Sequence, residues 1–273
     1  MYLIELANPQ SIGDAMPFHL PPEISRFIGD APLRRDAVGE SPCPVNRFQR
    51  GNDVFFLKTS APQYAPTSYS VAREADVLRW LSGRLRVPEL VCVARHEGYE
   101  HMITRTVPGV PLSLLVANDR AVSDLFLEAV RLVQSVPVAD CPFDSSTSVR
   151  LRELDYLLGK DLVADDYDLL QWPGLATPPD LQARLKATVP PEDLVFSHGD
   201  LGDINVFVDA REELYFIDLG RGGRADRWLD ITFIHRNLRE EVSASAAADF
   251  LARLGLPDAP AKREFFEQLD ELF

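Results

Sequence analysis

The sequence predicts an α+β fold of two unequal lobes, an N-terminal antiparallel sheet with one key helix and a larger, mostly helical C-terminal lobe. Three observations carry that prediction. Apolar runs joined by a Gly-Asn turn at 47–58, followed by one strongly patterned helix at 69–81, stand in the first half. Helical spacing dominates the second half, at about 121–136, 148–160, 179–187, 227–240, 243–254 and 261–272. The charge is also split: residues 1–112 hold 12 Lys and Arg against 12 Asp and Glu, whereas residues 113–273 hold 16 against 30, the whole of the net −14. We therefore expect an extension at 1–17, a first lobe at 18–104, a connecting hinge at 105–112 around Val107-Pro108-Gly109, and a second lobe at 113–273.

In chain order, Arg47-Phe48-Gln49 and Val54-Phe55-Phe56-Leu57-Lys58 flank Arg50-Gly51-Asn52-Asp53 and read as a hairpin. From Tyr69 to Leu81 the apolar positions Val71, Ala75, Leu78 and Leu81 form a helical stripe, and Glu74 falls on it. A carboxylate there is costly to bury without a cation, and Lys58 is the nearest upstream candidate; the alternative is a surface Glu74 paired with Arg73 or Arg79. In the helix of the second lobe that follows the hinge, Leu125, Ala129, Leu132 and Val133 share a face and predict core packing. Leu194-Val195-Phe196, Asn205-Val206-Phe207-Val208 and Glu213-Leu214-Tyr215-Phe216-Ile217 read as short strands between Gly and Asp turns. Trp80, Trp172 and Trp228 need no role beyond packing.

The strands bring chemistry together. His198, Asp200 and Asn205 stand in the order H-x-D-x-x-x-x-N, and Asp218-Leu219-Gly220 follows as D-x-G. Protein kinases use this order, because phosphoryl transfer needs one carboxylate to orient the attacking hydroxyl and oxygen ligands for magnesium. Asp200 and Asp203 lie in the loop between two strands, Asn205 at the mouth of the second, and Asp218 where the third runs out. An Asn and an Asp suffice for Mg²⁺, which completes its shell with water and phosphates. His198 is read as a structural tie through a ring N–H. Asp and Asn are also ordinary turn formers, but that reading does not explain the ordered set.

The chain resembles the aminoglycoside 3'-phosphotransferases, resistance enzymes with a protein-kinase-like bilobal fold, from about residue 20 to the end. The resemblance rests on FFLK at 55–58, YSVAREADVLRWL at 69–81, RVPEL at 86–90, DCPF at 140–143, VFSHGDLGDINVFV at 195–208, FIDLGRGGRAD at 216–226 and LDELF at 269–273. It implies a five-stranded N-terminal sheet, ATP or GTP as phosphoryl donor, and Asp200 as the residue that orients or deprotonates a sugar hydroxyl. Asn205 and Asp218 would hold two Mg²⁺ ions, and Lys58 and Glu74 would form the nucleotide ion pair. Ser41, in Gly39-Glu40-Ser41-Pro42, would face the β- and γ-phosphates where neither G-x-G-x-x-G nor G-x-x-x-x-G-K-[ST] occurs. Phe56 would stack on the adenine, and Thr104-Arg105-Thr106-Val107 would bond it through the backbone. By position, Asp203, Arg221, Arg236, Glu240, Glu241, Asp270, Glu271 and Phe273 with its terminal carboxylate match the antibiotic pocket, with the arginines orienting carboxylates. Asp168 matches the loop that closes over the substrate.

Charge supports a cationic substrate independently, since a cleft lined with one sign concentrates counter-ionic ligands. Acidic clusters stand at Asp165-Asp166-Asp168, Asp200 and Asp203, Glu240-Glu241 and Asp270-Glu271. Nucleic acid is disfavoured because no basic stripe is visible. The apolar runs are too short to span a bilayer, the N-terminus lacks a signal's cationic region, and Cys43, Cys92 and Cys141 lack zinc or disulfide spacing, so a cytoplasmic enzyme without an obligate protein partner is expected. Two other readings stand beside this one: a kinase for another small-molecule amine or amino-sugar, and a non-catalytic nucleotide-binding protein. The second typically lacks one of Lys58, Asp200, Asn205 and Asp218; all four are present.

Overall fold

The computed structural model describes residues 19–36, 41–116, 122–163 and 167–273. The N-terminal extension at 1–17, Gly39-Glu40 and Asp165-Asp166 lie outside them. Helix α1 (Pro22–Ile28) precedes strands β1 (Arg34–Arg35), β2 (Val45–Arg50) and β3 (Asp53–Ser60); then come α2 (Val71–Leu81), β4 (Leu90–His96) and β5 (Tyr99–Arg105). The five strands form one antiparallel sheet in the order β1-β2-β3-β5-β4. The expected hairpin turns at Gly51 and Asn52, where Gly51 has φ 62°.

Strand alternation gives this sheet two different faces. Phe48, Phe55, Leu57 and Ile103 pack with Ile24 and Ile28 of α1 into a small core of their own. The opposite face presents Phe56, Lys58 and Met102, since Lys58 pairs with Met102 and Phe56 with Thr104. Val71, Ala75, Leu78 and Leu81 of α2 are buried as their spacing predicts, and Glu74 with them. The helix begins at Val71, two residues later than the patterned segment, because Ser70 caps it by accepting the Arg73 N–H at 3.1 Å. A buried carboxylate fixes that start: Glu100 of β5 accepts from the Ser70 hydroxyl at 2.6 Å, the Ala72 N–H at 3.0 Å, the Ser60 hydroxyl at 3.2 Å and Arg95 at 2.7 Å.

After β6 (Val110–Pro111) and α3 (Ser113–Val116), the second lobe is built from α4 (Val122–Gln134), α5 (Thr147–Gly159), α6 (Pro178–Ala187) and β7 (Leu194–Ser197). It continues through β8 (Val206–Val208), β9 (Leu214–Phe216), β10 (Gly223–Asp226), α7 (Trp228–Asn237), α8 (Ala244–Leu254) and α9 (Pro260–Asp270). Two small sheets, β10-β7 and β6-β8-β9, frame the loops that matter. β6 lies in the connecting segment yet pairs with β8, so hydrogen bonding ties that end of the segment to the second lobe. Gly109, at φ 92°, allows this approach: a Cβ there would sit 2.2 Å from the Val208 carbonyl oxygen. On α4 the buried face centres on Phe126, Val130 and Val133, and the expected Leu125 and Leu132 lie at its margin, half-buried against the same core. That core is continuous from α2 through Phe196 and Leu219 to Phe266, so the two lobes share it.

Candidate active site

Lys58 closes the first half of the site. Its Nζ lies 2.8 Å from Glu74 Oε2 and 2.6 Å from Asp218 Oδ1, so one ammonium serves a strand, a helix and the loop after β9. Glu74 therefore pairs with Lys58 rather than with Arg73 or Arg79; Arg79 bonds Asp76, and Arg73 turns to the second lobe. Burial raises the Glu74 pKa, with the Lys58 charge opposing it. Burial acts in the same direction on Asp218, but there Lys58 outweighs it and the pKa is lowered. Lys58 is held charged: desolvation alone would lower its pKa, and the Asp218 and Glu74 charges reverse that. Asp218 has a φ of 57°, an uncommon conformation for a residue with a side chain, and its carboxylate remains 41% exposed.

Asp200 and Asn205 form the second half. Asn205 Nδ2 donates to the Asp200 carbonyl at 2.9 Å and to Asp200 Oδ2 at 3.1 Å. Asn205 Oδ1 and Asp218 Oδ2 carry no hydrogen bond among the described residues. His198 is the tie its position suggested, its Nε2–H donating to the Ile217 carbonyl at 2.9 Å beside Asp218. Gly199, at φ 84°, lets the loop pass Arg221: an added Cβ would meet the Arg221 carbonyl oxygen at 2.6 Å. Asp230 of α7, which no sequence motif marked, holds this loop by accepting the N–H groups of His198 and Gly199, each at 2.9 Å. It is fully buried, and burial raises its pKa against the pull of His198 and those two N–H groups.

The residues expected around a base take distinct positions. Phe56 is half-buried on the Lys58 face of β3. The Arg105 side chain lies on the other face, bonded to Asp53 and, at 2.8 Å, to Glu89, which leaves only its backbone for the cleft. The Val107 N–H has no partner among the described residues. Ser41 Oγ accepts the Cys43 N–H at 3.2 Å and so closes its own turn, while Cys43 lies within electrostatic reach of Lys58.

A face of carboxylates adjoins Asp200. Asp270 takes Arg221 at 3.1 Å and Arg236 at 2.6 Å, so both arginines orient a carboxylate. Phe273 lies with its ring centroid 4.7 Å from Arg150 and 5.6 Å from Arg221. Glu271 binds the backbone of the 168–171 turn, accepting the Asp168 N–H at 2.8 Å and Gln171 Nε2 at 3.1 Å. Gln171 was not marked in the sequence, whereas the Asp168 carboxylate caps its own turn through the Leu170 N–H. Glu240 pairs with Arg239 at 2.9 Å. Asp203, whose N–H donates to Asn237 at 3.0 Å, has no cation on its carboxylate among the described residues; burial and then Glu241 raise its pKa. Burial likewise raises Glu271.

The family model described as "Phosphotransferase enzyme family" matches residues 45–266. The chain is 43% identical over 257 residues to an aminoglycoside 3'-phosphotransferase of Acinetobacter baumannii, covering 93% of this chain and 99% of that one. It is 38% identical to one of Enterococcus faecalis, covering 92% and 97%. Among solved structures it superposes on an aminoglycoside 3'-phosphotransferase of type VIII with a TM-score of 0.77 at 28% identity, covering 92% of this chain and 97% of the other.

Proposed function

The chain belongs to the aminoglycoside 3'-phosphotransferase family, and on that premise we propose that it transfers the γ-phosphoryl group of ATP to the 3'-hydroxyl of aminoglycosides such as kanamycin and neomycin. The observation that carries this reading is the adjacency of two unlike groups: Asp200, set by Asn205, and the Asp203–Glu241 carboxylates, which lack a cation among the described residues. The first suits a hydroxyl to be aimed at phosphorus. The second suits an ammonium group on the same molecule. Modification of the drug in this way is the chemistry of resistance, and ATP in the cytoplasm suits it.

Lys58, fixed between Glu74 and Asp218, would draw charge from the nucleotide phosphates. Phe56 offers a ring for the base, the Val107 N–H a donor, and the Arg105 main chain an edge, while Ser41 stands at the turn ahead of β2. Asn205 Oδ1 and Asp218 Oδ2 are hard oxygen donors with no protein partner among the described residues, which fits Mg²⁺. Two such ions, when bound, would neutralise charge on the transferring phosphoryl group. Asp200 orients the substrate hydroxyl and accepts its proton as the oxygen attacks. Asp270 and Glu271, set by Arg221, Arg236 and the 168–171 turn, with Asp203, Glu240, Glu241, Asp168 and the Phe273 terminus, receive the ammonium groups.

The test is ADP release by the purified protein with Mg-ATP against kanamycin, neomycin, gentamicin and tobramycin. Turnover with the first two but not with the two that lack a 3'-hydroxyl is expected. Turnover with all four would move the reaction to another hydroxyl, and silence with all four would overturn the substrate class. Asp200→Ala is expected to abolish turnover with modest loss of nucleotide affinity; near-normal kcat would remove Asp200 from the role.

A further inference from the structure

A half-open cavity of about 340 Å³ lies between the Ala65–Ser68 loop ahead of α2 and the first turns of α5. Its wall carries Arg73, Arg150, Arg152 and Arg221 against only Asp144 and Glu153, an inverted charge in a chain of net −14. Both carboxylates are already engaged. Glu153 Oε1 accepts the N–H and hydroxyl of Ser68 at 2.5 and 2.7 Å, and Asp144 Oδ1 accepts the Ser146 N–H at 3.0 Å.

The guanidinium groups divide in two. Arg73 is used up on the carbonyls of Gly220 and Gly222 and on Ser145, and Arg221 on Asp270 and Tyr69. Arg150 is not. It is only 3% exposed, yet its Nε and one terminal nitrogen have no hydrogen-bond partner among the described residues. Arg152, two residues on and exposed, makes no hydrogen bond or close ion pair among them, although Asp144 lies within reach of its charge. A buried guanidinium with unmet N–H groups is expensive, because each lost its water without gaining an acceptor. Burial, followed by repulsion from Arg221, also weakens the hold of Arg150 on its proton. An anion in the cavity lowers the second cost by offsetting the repulsion from Arg221, and it bonds Arg150 through the remaining terminal nitrogen, because the two unmet nitrogens have no accessible surface.

We propose that this cavity binds a small tetrahedral oxyanion, sulfate or inorganic phosphate, held by Arg150 and Arg152. The planar guanidinium fork of the exposed Arg152 matches the oxygens of such an ion two at a time, which chloride cannot use. The cavity is unsuited to a polycationic sugar, so it is separate in chemistry from the carboxylate face although Arg221 borders both.

The test titrates the intact, nucleotide-free protein with sodium sulfate and with inorganic phosphate by calorimetry, against sodium chloride at matched ionic strength. Three variants locate the ion. Arg152→Gln, at an exposed position, should weaken binding roughly ten-fold, the value of one charge-assisted hydrogen bond. Arg150→Met should weaken it at least as much, and Lys58→Ala, which removes the other concentrated positive charge, should leave it unchanged. Chloride producing the same heats, or both arginine variants binding like the parent, or Lys58→Ala abolishing the signal, would each overturn the assignment.

Discussion

Asp230 separates positioning from chemistry at a single side chain. It touches no reacting group, but its two oxygens fix the His198 and Gly199 N–H groups immediately before Asp200. Asp230→Asn keeps the shape while replacing one acceptor by a donor, which leaves an N–H facing an N–H. We expect kcat to fall roughly a hundred-fold, from misplacement of Asp200, with nucleotide affinity nearly unchanged; a parallel loss of nucleotide binding would mean general misfolding instead. Asp203 argues the opposite trade. Its raised pKa, from burial and then from Glu241, means that its charge is held at a cost to the fold. Asp203→Asn should therefore raise Tm by about 2 °C while raising the KM for the aminoglycoside about ten-fold. Thermal melts and steady-state kinetics on one preparation check both; a lowered Tm would show that the charge is already compensated. Asn205 does meet Asp200, while Asp218 meets Lys58; that Asp200, Asn205 and Asp218 stand together was legible beforehand because the motif fixes their order along the chain. Asp230, Gln171 and Arg150 were not, since the first two act on backbone or on carboxylates 31 to 100 residues away, and the need of Arg150 is for something absent from its neighbourhood.

At the scale of elements, the register of α2 against the sheet decides whether Lys58 meets Glu74. Two anchors hold that helix. Glu100 ties its first turn to β3, and Arg73, in the same turn, ties it to the carbonyls of Gly220 and Gly222 beyond Asp218. Arg73→Ala is expected to reduce kcat/KM for ATP at least ten-fold and to leave Lys58 and Glu74 in place but decoupled from Asp218, measured by nucleotide titration beside kinetics. The sheet carries a separate pH dependence. His101 of β5, fully buried and bonded to Thr59 at 3.0 Å, has its pKa pushed down to about 4 by burial and then by His96. The unfolded chain binds that proton more readily, so the contribution is complete above the ordinary value of 6.5 and is lost as pH falls towards 4. Over that window the loss amounts to about 3 kcal/mol. Urea unfolding at about pH 7 and about pH 5 should show a smaller drop for His101→Gln than for the parent, and equal drops would refute the assignment. The hairpin, α2 and the three short strands were readable from period and turn residues. On α4, Ala129 and Val133 are buried as expected, but Phe126 and Val130 hold the centre of the face and Leu125 and Leu132 its margin; periodicity gives a stripe but not its centre.

The whole molecule divides its electrostatics between its two substrates. Residues 1–112 are neutral in sum, and residues 113–273 carry −14. On the proposed reading a nucleotide, itself anionic, would meet Lys58 and its metal ions at close range, where screening is weak. A polycationic sugar approaches a broad acidic lobe whose field reaches beyond contact distance and is therefore open to screening by salt. The Debye length falls several-fold between about 50 mM and about 500 mM NaCl. Across that range KM for kanamycin should rise about ten-fold and KM for ATP less than about two-fold, with kcat nearly constant, because salt screens the approach of the drug and leaves the in-line geometry at Asp200 alone. Arg236 and Arg221 keep Asp270 oriented at short range, so the residual affinity at high salt reports the oriented carboxylates and the lost part reports the field. Equal salt sensitivity of the two Michaelis constants would mean that the acidic surface serves only solubility, and the substrate argument would then rest on the oriented carboxylates alone.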